Sequence, residues 1–233
     1  MNTEKIKKYL NHIGGEMVVC ENDCLGISGG NEDNHTNGIV PRGMFLDGPE
    51  TDGPGVIVVG INPGKSSKTE RKVYKSAMSE GKPLYPELWK KENQKTKKKF
   101  SYHKRIEGLL GTSPARPIFW TDLVKCETAP ARKKAGKKSP PAITFKACMN
   151  EFFRRELAAI SPDWPIIAAG QEVYKFLTSM YPDRTIFGIY HPGAVKMDKN
   201  AKKFYAKGHR ILQNAIKRFK LGQAVWLPGY EEP

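Results

Sequence analysis

The stretch that most constrains this chain is Val56-Ile57-Val58-Val59-Gly60-Ile61, a continuous apolar run of mostly β-branched residues halted by Asn62-Pro63-Gly64. A strand that is apolar on both faces has no side to offer water, so it belongs at the centre of a sheet covered on both faces. Runs of the same kind recur at 118–124 (IFWTDLV), 165–170 (PIIAAG) and 185–190 (TIFGIY), with helical patterns at 143–160 and 171–180. Strands alternating with helices predict a parallel sheet, because each parallel connection has to cross over the sheet. The expected architecture is a three-layer α/β/α sandwich around a central, mostly parallel four-stranded sheet, in a single domain spanning 1–233. A chain of 233 residues can bury a core of this kind without disulfides. Before the first strand, Ile6, Leu10 and Ile13 at helical spacing predict an amphipathic helix over 2–13 that stops at Gly14 and Gly15. The stretch 27–55, rich in Gly, Asn, Asp and Pro, reads as loop with short extended pieces. Near the C-terminus, Phe204, Ile211, Leu212, Ala215, Ile216 and Phe219 mark one face of a last helix.

Charge narrows the partner. Lys and Arg number 39 against 24 Asp and Glu, a formal charge of +15, which favours a polyanion such as DNA. Ribosomal association, anionic membranes and plain solubility produce similar compositions, so charge names a class of partner and no reaction. No apolar run approaches the roughly 18 to 20 residues of a membrane span, and Met1 to Leu10 lack the apolar stretch of a secretory signal. A monomer located in the cytoplasm, and at the nucleoid if the source is bacterial, is the expectation. Two lysine-rich stretches, 90–99 and 129–142, have no apolar face to bury. They read either as solvated loops or as phosphate contacts that release counterions from DNA.

In open α/β sheets ligands bind beyond the carboxyl ends of the strands, so the residues just after the strands hold the chemistry. After the first strand stands Gly60-Ile61-Asn62-Pro63-Gly64-Lys65-Ser66-Ser67. A phosphate-binding loop requires four residues between its glycines, whereas three intervene here, and proline removes an N–H such a cradle would use. These residues instead resemble the first motif of the uracil-DNA glycosylase superfamily, in the G-[IM]-N-P-G form of its mismatch-specific and single-strand-selective branches. The superfamily's second motif is a His-Pro pair after the last core strand, and Tyr190-His191-Pro192-Gly193 follows the run at 185–190. Cys20 and Cys24, then Cys126 in Val124-Lys125-Cys126, then Cys148 resemble the ligands of the superfamily's iron–sulfur branch. The first pair is spaced C-x3-C where that branch commonly has C-x2-C, and the gap from Cys126 to Cys148 is longer than the branch's. Four thiolates suit a [4Fe–4S] cluster or zinc. That branch also usually has an acidic residue at the position of Asn62, so the ligands of one branch accompany the catalytic motif of another.

The resemblance implies a monofunctional DNA glycosylase of base excision repair, hydrolysing the N-glycosidic bond of a flipped base, with uracil the leading candidate. Asn62 would hold the attacking water, and His191 would donate to O2 of the departing base. Gly60 and Ile61 would line the base pocket, Tyr74 would stack on the base, and Asp122 would read its edge. Asparagine often stands at the position of Asp122. An ionised aspartate accepts from uracil N3–H but cannot donate to O4. Either Asp122 is protonated, or the base is not uracil, or another residue reads O4. Lys65, Ser66, Ser67 and Lys196 are candidate phosphate contacts, and Val195 or Met197 would enter the gap left by the flipped base. Two alternatives use the same residues differently: a relative that binds uracil-DNA without turnover, or traps it covalently through a histidine such as His103 in the 80–105 insert, and a zinc-bound basic nucleic-acid-binding protein.

Overall fold

A computed structural model describes residues 3–20, 22, 24, 25, 27, 28, 37–39, 41, 44–79, 101–111, 116–129 and 140–230. The lysine-rich stretch 90–99 and all but the ends of 129–142 lie outside the described residues. In chain order the elements are α1 (Thr3–Val18), β1 (Ile27–Ser28), β2 (Phe45–Asp47), β3 (Val56–Gly60), α2 (Lys68–Ser79), α3 (Ser101–Leu110), β4 (Ile118–Asp122), β5 (Glu127–Thr128) and α4 (Ala142–Cys148). A π-helical turn (Met149–Phe153) leads into α5 (Arg154–Ala158). Then follow β6 (Ile166–Ala169), α6 (Gln171–Met180), β7 (Ile186–Ile189), a 3-10 turn (Pro192–Lys196), α7 (Lys199–Arg218) and β8 (Ala224–Trp226).

Among the described residues the main sheet has six strands in the order β2-β4-β3-β6-β7-β8, and β1 pairs separately with β5. The four apolar runs supply β3, β4, β6 and β7, and the short strands β2 and β8 lie at the two edges. Val56, Ile57, Val58 and Val59 of β3 are at most 1% exposed, as expected of a strand covered on both faces. The pairings of β3 with β6, β6 with β7 and β7 with β8 are parallel, with Val58 opposite Ile167 and Ile167 opposite Phe187. The fold is mixed α/β with a mostly parallel sheet.

By internal contacts the chain forms two compact units, each gathered from three segments. The first comprises Met1–Leu46, Ile61–Lys95 and Trp120–Ile160, and the second Asp47–Gly60, Thr96–Phe119 and Ser161–Pro233. In the first unit, α1 continues past the expected stop at Gly14 and Gly15 to Val18. Met17, fully buried, extends the apolar stripe of Ile6, Leu10 and Ile13, and its burial together with that of Val18 outweighs a cost of about 1 kcal/mol for each of the two glycines. Trp120 stacks on Phe45 with ring centroids 5.9 Å apart. Cys148 ends α4, which begins at Ala142, close to the start of the helical pattern expected over 143–160.

In the second unit α7 buries Ala201, Phe204, Gly208, Leu212 and Ala215 on one face. Gly208 permits close approach to α3, since a Cβ there would stand 2.9 Å from Leu109 Cδ2. His209 Nδ1 lies 2.9 Å from the Leu109 carbonyl, and Gln213 Nε2 donates to the Leu110 carbonyl at 2.9 Å. Side chains of α7 thus engage carbonyls that the end of α3 cannot satisfy within its own helix. This fixes α3, which braces the loop after β7.

Candidate active site

In the first unit, the chain leaving β3 is tied to the chain leaving β4. Val124 N–H donates to the Ile61 carbonyl at 3.0 Å. Asn62 Nδ2 faces the Cys126 carbonyl at 3.2 Å, Thr128 Oγ1 at 3.1 Å and the Pro63 carbonyl at 3.3 Å. Carbonyls only accept, so the amide must present its NH2 to them. Its Oδ1 is therefore the atom that points elsewhere, and it is an acceptor.

The next residues hold this loop from within. Ser66 is 4% exposed, its N–H donates to Glu127 Oε2 at 2.6 Å, and its hydroxyl accepts from Arg71 Nε at 2.9 Å. Arg71 also reaches Glu127 Oε1 at 3.3 Å, so a buried carboxylate gathers both. Ser66, expected as a phosphate contact, is thus interior: the buried Glu127 draws its N–H inward. Ser67 caps α2, its hydroxyl accepting from Glu70 N–H at 3.1 Å while the Glu70 carboxylate accepts the Ser67 N–H in return. Lys65 is exposed. Tyr74 on α2 is 8% exposed, and Asp122, ending β4, is half-buried.

None of the four cysteines is joined in a disulfide, and all lie in this unit. Thr144 Oγ1 on α4 donates to the Leu25 carbonyl at 2.8 Å, next to Cys24. Ile27 pairs with Thr128, two residues beyond Cys126. These contacts gather the segments bearing Cys24, Cys126 and Cys148. Lys125 N–H donates to Cys148 Sγ at 3.3 Å. Burial, the larger influence, pushes the Cys148 thiol up to about 11, with the charge of Cys24 acting in the same direction and Lys125 opposing it. Metal binding would have to displace that proton. The donor set suits a thiolate-held cluster, although among the described residues no three His, Cys, Asp or Glu side chains already form a metal-holding group.

In the second unit, Gly60 is buried at the end of β3, and β7 ends just before Tyr190-His191-Pro192. Proline disfavours a helical residue before it, and His191 adopts φ −59° and ψ 129° while Pro192 opens the 3-10 turn. Gly193 N–H donates to His191 Nδ1 at 3.0 Å. A Cβ on Gly193 would stand 3.0 Å from that nitrogen and crowd the contact. With Nδ1 accepting, the proton of the neutral ring sits on Nε2. Tyr102 on α3 lies against the imidazole with centroids 5.6 Å apart, and Arg105 Nη1 donates to the Pro192 carbonyl at 2.7 Å. Tyr205 from α7 donates to the Tyr190 carbonyl at 2.6 Å. Tyr102, Arg105 and Tyr205 were not among the residues expected at the site. Lys196 and Met197 are exposed and Val195 is half-buried.

Although His191 keeps an exposed face, desolvation by the surrounding protein lowers its pKa from the ordinary 6.5. The direction agrees with the geometry, because a proton on Nδ1 would confront the Gly193 N–H. A nuclear magnetic resonance titration should give His191 a pKa below 6.5, and a value at or above 6.5 would contradict this. A folded-state pKa below the unfolded one contributes stability that is present above pH 6.5 and lost as pH falls through the folded value.

A family model described as the uracil DNA glycosylase superfamily matches residues 48–215. The chain belongs to that superfamily, whose members act on DNA. No curated protein matches it closely. Among the described residues no helix is long and apolar enough to cross a membrane.

Proposed function

We propose that this protein is a monofunctional DNA glycosylase that hydrolyses the N-glycosidic bond of a flipped base, most simply uracil, in base excision repair. What carries the reading, on a chain of this superfamily, is the imidazole of His191, held neutral with Nδ1 occupied and Nε2–H as its free donor. The target base must leave the stack, because the bond is inaccessible within it. Nε2–H then donates to O2 of the departing base, where negative charge develops, a preorganised contact that needs no proton transfer. Asn62 Oδ1 accepts from a water and orients it toward the sugar C1′. A neutral amide is a weak base, so the bond to the base breaks first and water adds to an oxocarbenium-like sugar, losing its proton to solvent. Asp122 reads the edge of the base, and Gly60 and Ile61 bring backbone against it. Tyr74 shapes the pocket from α2, Lys65 and Lys196 meet phosphates, and Val195 fills the vacated stack. Ser66 and Ser67 set the loop that presents Lys65.

Cys20, Cys24, Cys126 and Cys148 would hold a [4Fe–4S] cluster, which when bound supplies a structural pin between the N-terminal segment and the loop after β4. The purified protein should be brown and contain iron and acid-labile sulfide, with Cys126→Ser less stable and iron-poor. A colourless protein with stoichiometric zinc would assign the thiols to zinc instead.

A second reading has one observation in its favour. His103 lies beside Tyr102, ring centroids 5.1 Å apart, on the helix that braces His191. A nucleophilic histidine there would trap the sugar covalently instead of releasing it. Oligonucleotides carrying uracil, hypoxanthine, xanthine or a T·G mismatch, incubated with the protein and cleaved with alkali, test the proposal and identify the base. Excision of at least one supports it; strand cleavage at none rejects it.

A further inference from the structure

The interior of the first unit holds a charged cluster that the proposed chemistry does not use. Lys125 and Glu156 are both fully buried. Lys125 Nζ donates to Thr121 Oγ1 at 2.6 Å and to the Asp122 carbonyl at 2.6 Å, and it lies 2.7 Å and 2.8 Å from the two Glu156 carboxylate oxygens. Thr121 in turn donates to Glu156 Oε2 at 2.6 Å. The three hydrogens of the ammonium are thus matched by a hydroxyl, a carbonyl and a carboxylate. Stability alone does not require such a pair, because apolar side chains of like volume often serve as well or better. What apolar side chains cannot do is aim a carbonyl.

We propose that Lys125, locked by Glu156 and Thr121, is a positioning residue that sets the turn from Asp122 to Cys126 and, through it, the orientation of both Asp122 and Asn62. The connections are direct. The ammonium holds the Asp122 carbonyl from inside, and the Lys125 N–H is held by Cys148 Sγ. The next carbonyl, that of Cys126, receives the Asn62 amide, and Val124 N–H is bonded to the Ile61 carbonyl. The turn that this cation holds at the Asp122 carbonyl thus meets, through its own backbone, the thiol of Cys148 and the amide of Asn62. The effect on excision rests on those two assignments from the preceding section; the effect on orientation does not.

The test is a paired replacement, Lys125→Met with Glu156→Leu, which removes both charges and keeps an apolar filling. Two readouts are compared with wild type: the side-chain amide resonances of Asn62, assigned by their loss in Asn62→Asp, and the single-turnover rate of excision across the base panel. The proposal expects the Asn62 amide signals to shift or broaden. It expects excision to fall by at least about 30-fold, within the range that a misplacement of about 1 Å can cost, with an altered preference among bases and normal DNA affinity. Unchanged amide signals in a folded paired variant would overturn it and leave the pair a structural filling. If wild type excises nothing while the amide signals still move, the positioning role stands and the glycosylase reading fails. Should the paired variant not fold, Thr121→Val removes one acceptor of the ammonium and leaves the ion pair intact. The same shift in the Asn62 amide, smaller in size, is then required, and its absence overturns the proposal.

Discussion

Asn62→Ala and His191→Ala are each expected to lower the single-turnover rate of base excision by roughly 10²-fold or more, the scale of a lost preorganised donor, while DNA affinity stays within about twofold. In the proposed mechanism both residues act on interactions that strengthen only as the bond breaks, so their loss should appear in the chemical step and not in binding. The two variants should fail differently. His191→Ala removes Nε2–H, the contact proposed for the leaving base, so its penalty should shrink with a base that departs more readily. Asn62→Ala removes the Oδ1 proposed to accept from the attacking water, and its penalty should not follow leaving-group quality. Rapid-quench measurements with uracil and with 5-fluorouracil in the same oligonucleotide separate the two. Equal sensitivity of both variants to the leaving group would contradict the division of labour.

The second large effect is on stability. Replacing either member of the buried pair alone, Lys125→Ala or Glu156→Ala, strands an opposite charge in a fully buried site. A loss of about 3 to 5 kcal/mol is expected, a large share of the roughly 5 to 15 kcal/mol that holds a typical domain together. Urea denaturation should show the transition midpoint falling sharply for each single variant and largely recovering in the paired Met and Leu replacement. Single-variant losses below about 1 kcal/mol would mean that water reaches the pair.

The strands were legible because each is apolar on both faces, a pattern that few other elements produce. The placement of the motif residues was legible too, since Asn62 and His191 do follow β3 and β7, in loops of the kind that bind ligands in α/β folds. What escaped the sequence depends on packing between elements distant in the chain. Tyr102 and Arg105 sit in a segment with no strong pattern, and they reach the His191 loop because His209 and Gln213 of α7 fix the end of α3. Ser66 read as a surface residue in a loop of lysines and serines; its burial follows from Glu127, which lies far along the chain and gives no local signal. Lys125 was visible within the Val-Lys-Cys segment, yet a lysine in a sequence is expected to be exposed, and only Glu156 and Thr121 explain its full burial. The continuation of α1 through Gly14 and Gly15 shows the converse, where Met17 was readable as the next member of the apolar stripe but two glycines suggested a stop.

The central claim, that the protein hydrolyses a glycosidic bond and releases both products, is tested most directly by following a uracil-containing oligonucleotide with labels on both base and strand. Free base is expected to accumulate together with abasic strand in equal amounts, beyond one equivalent of protein when product release allows. The protein should migrate free of DNA under denaturing conditions. A stable protein–DNA adduct that His103→Ala abolishes, or the absence of any released base, would contradict it.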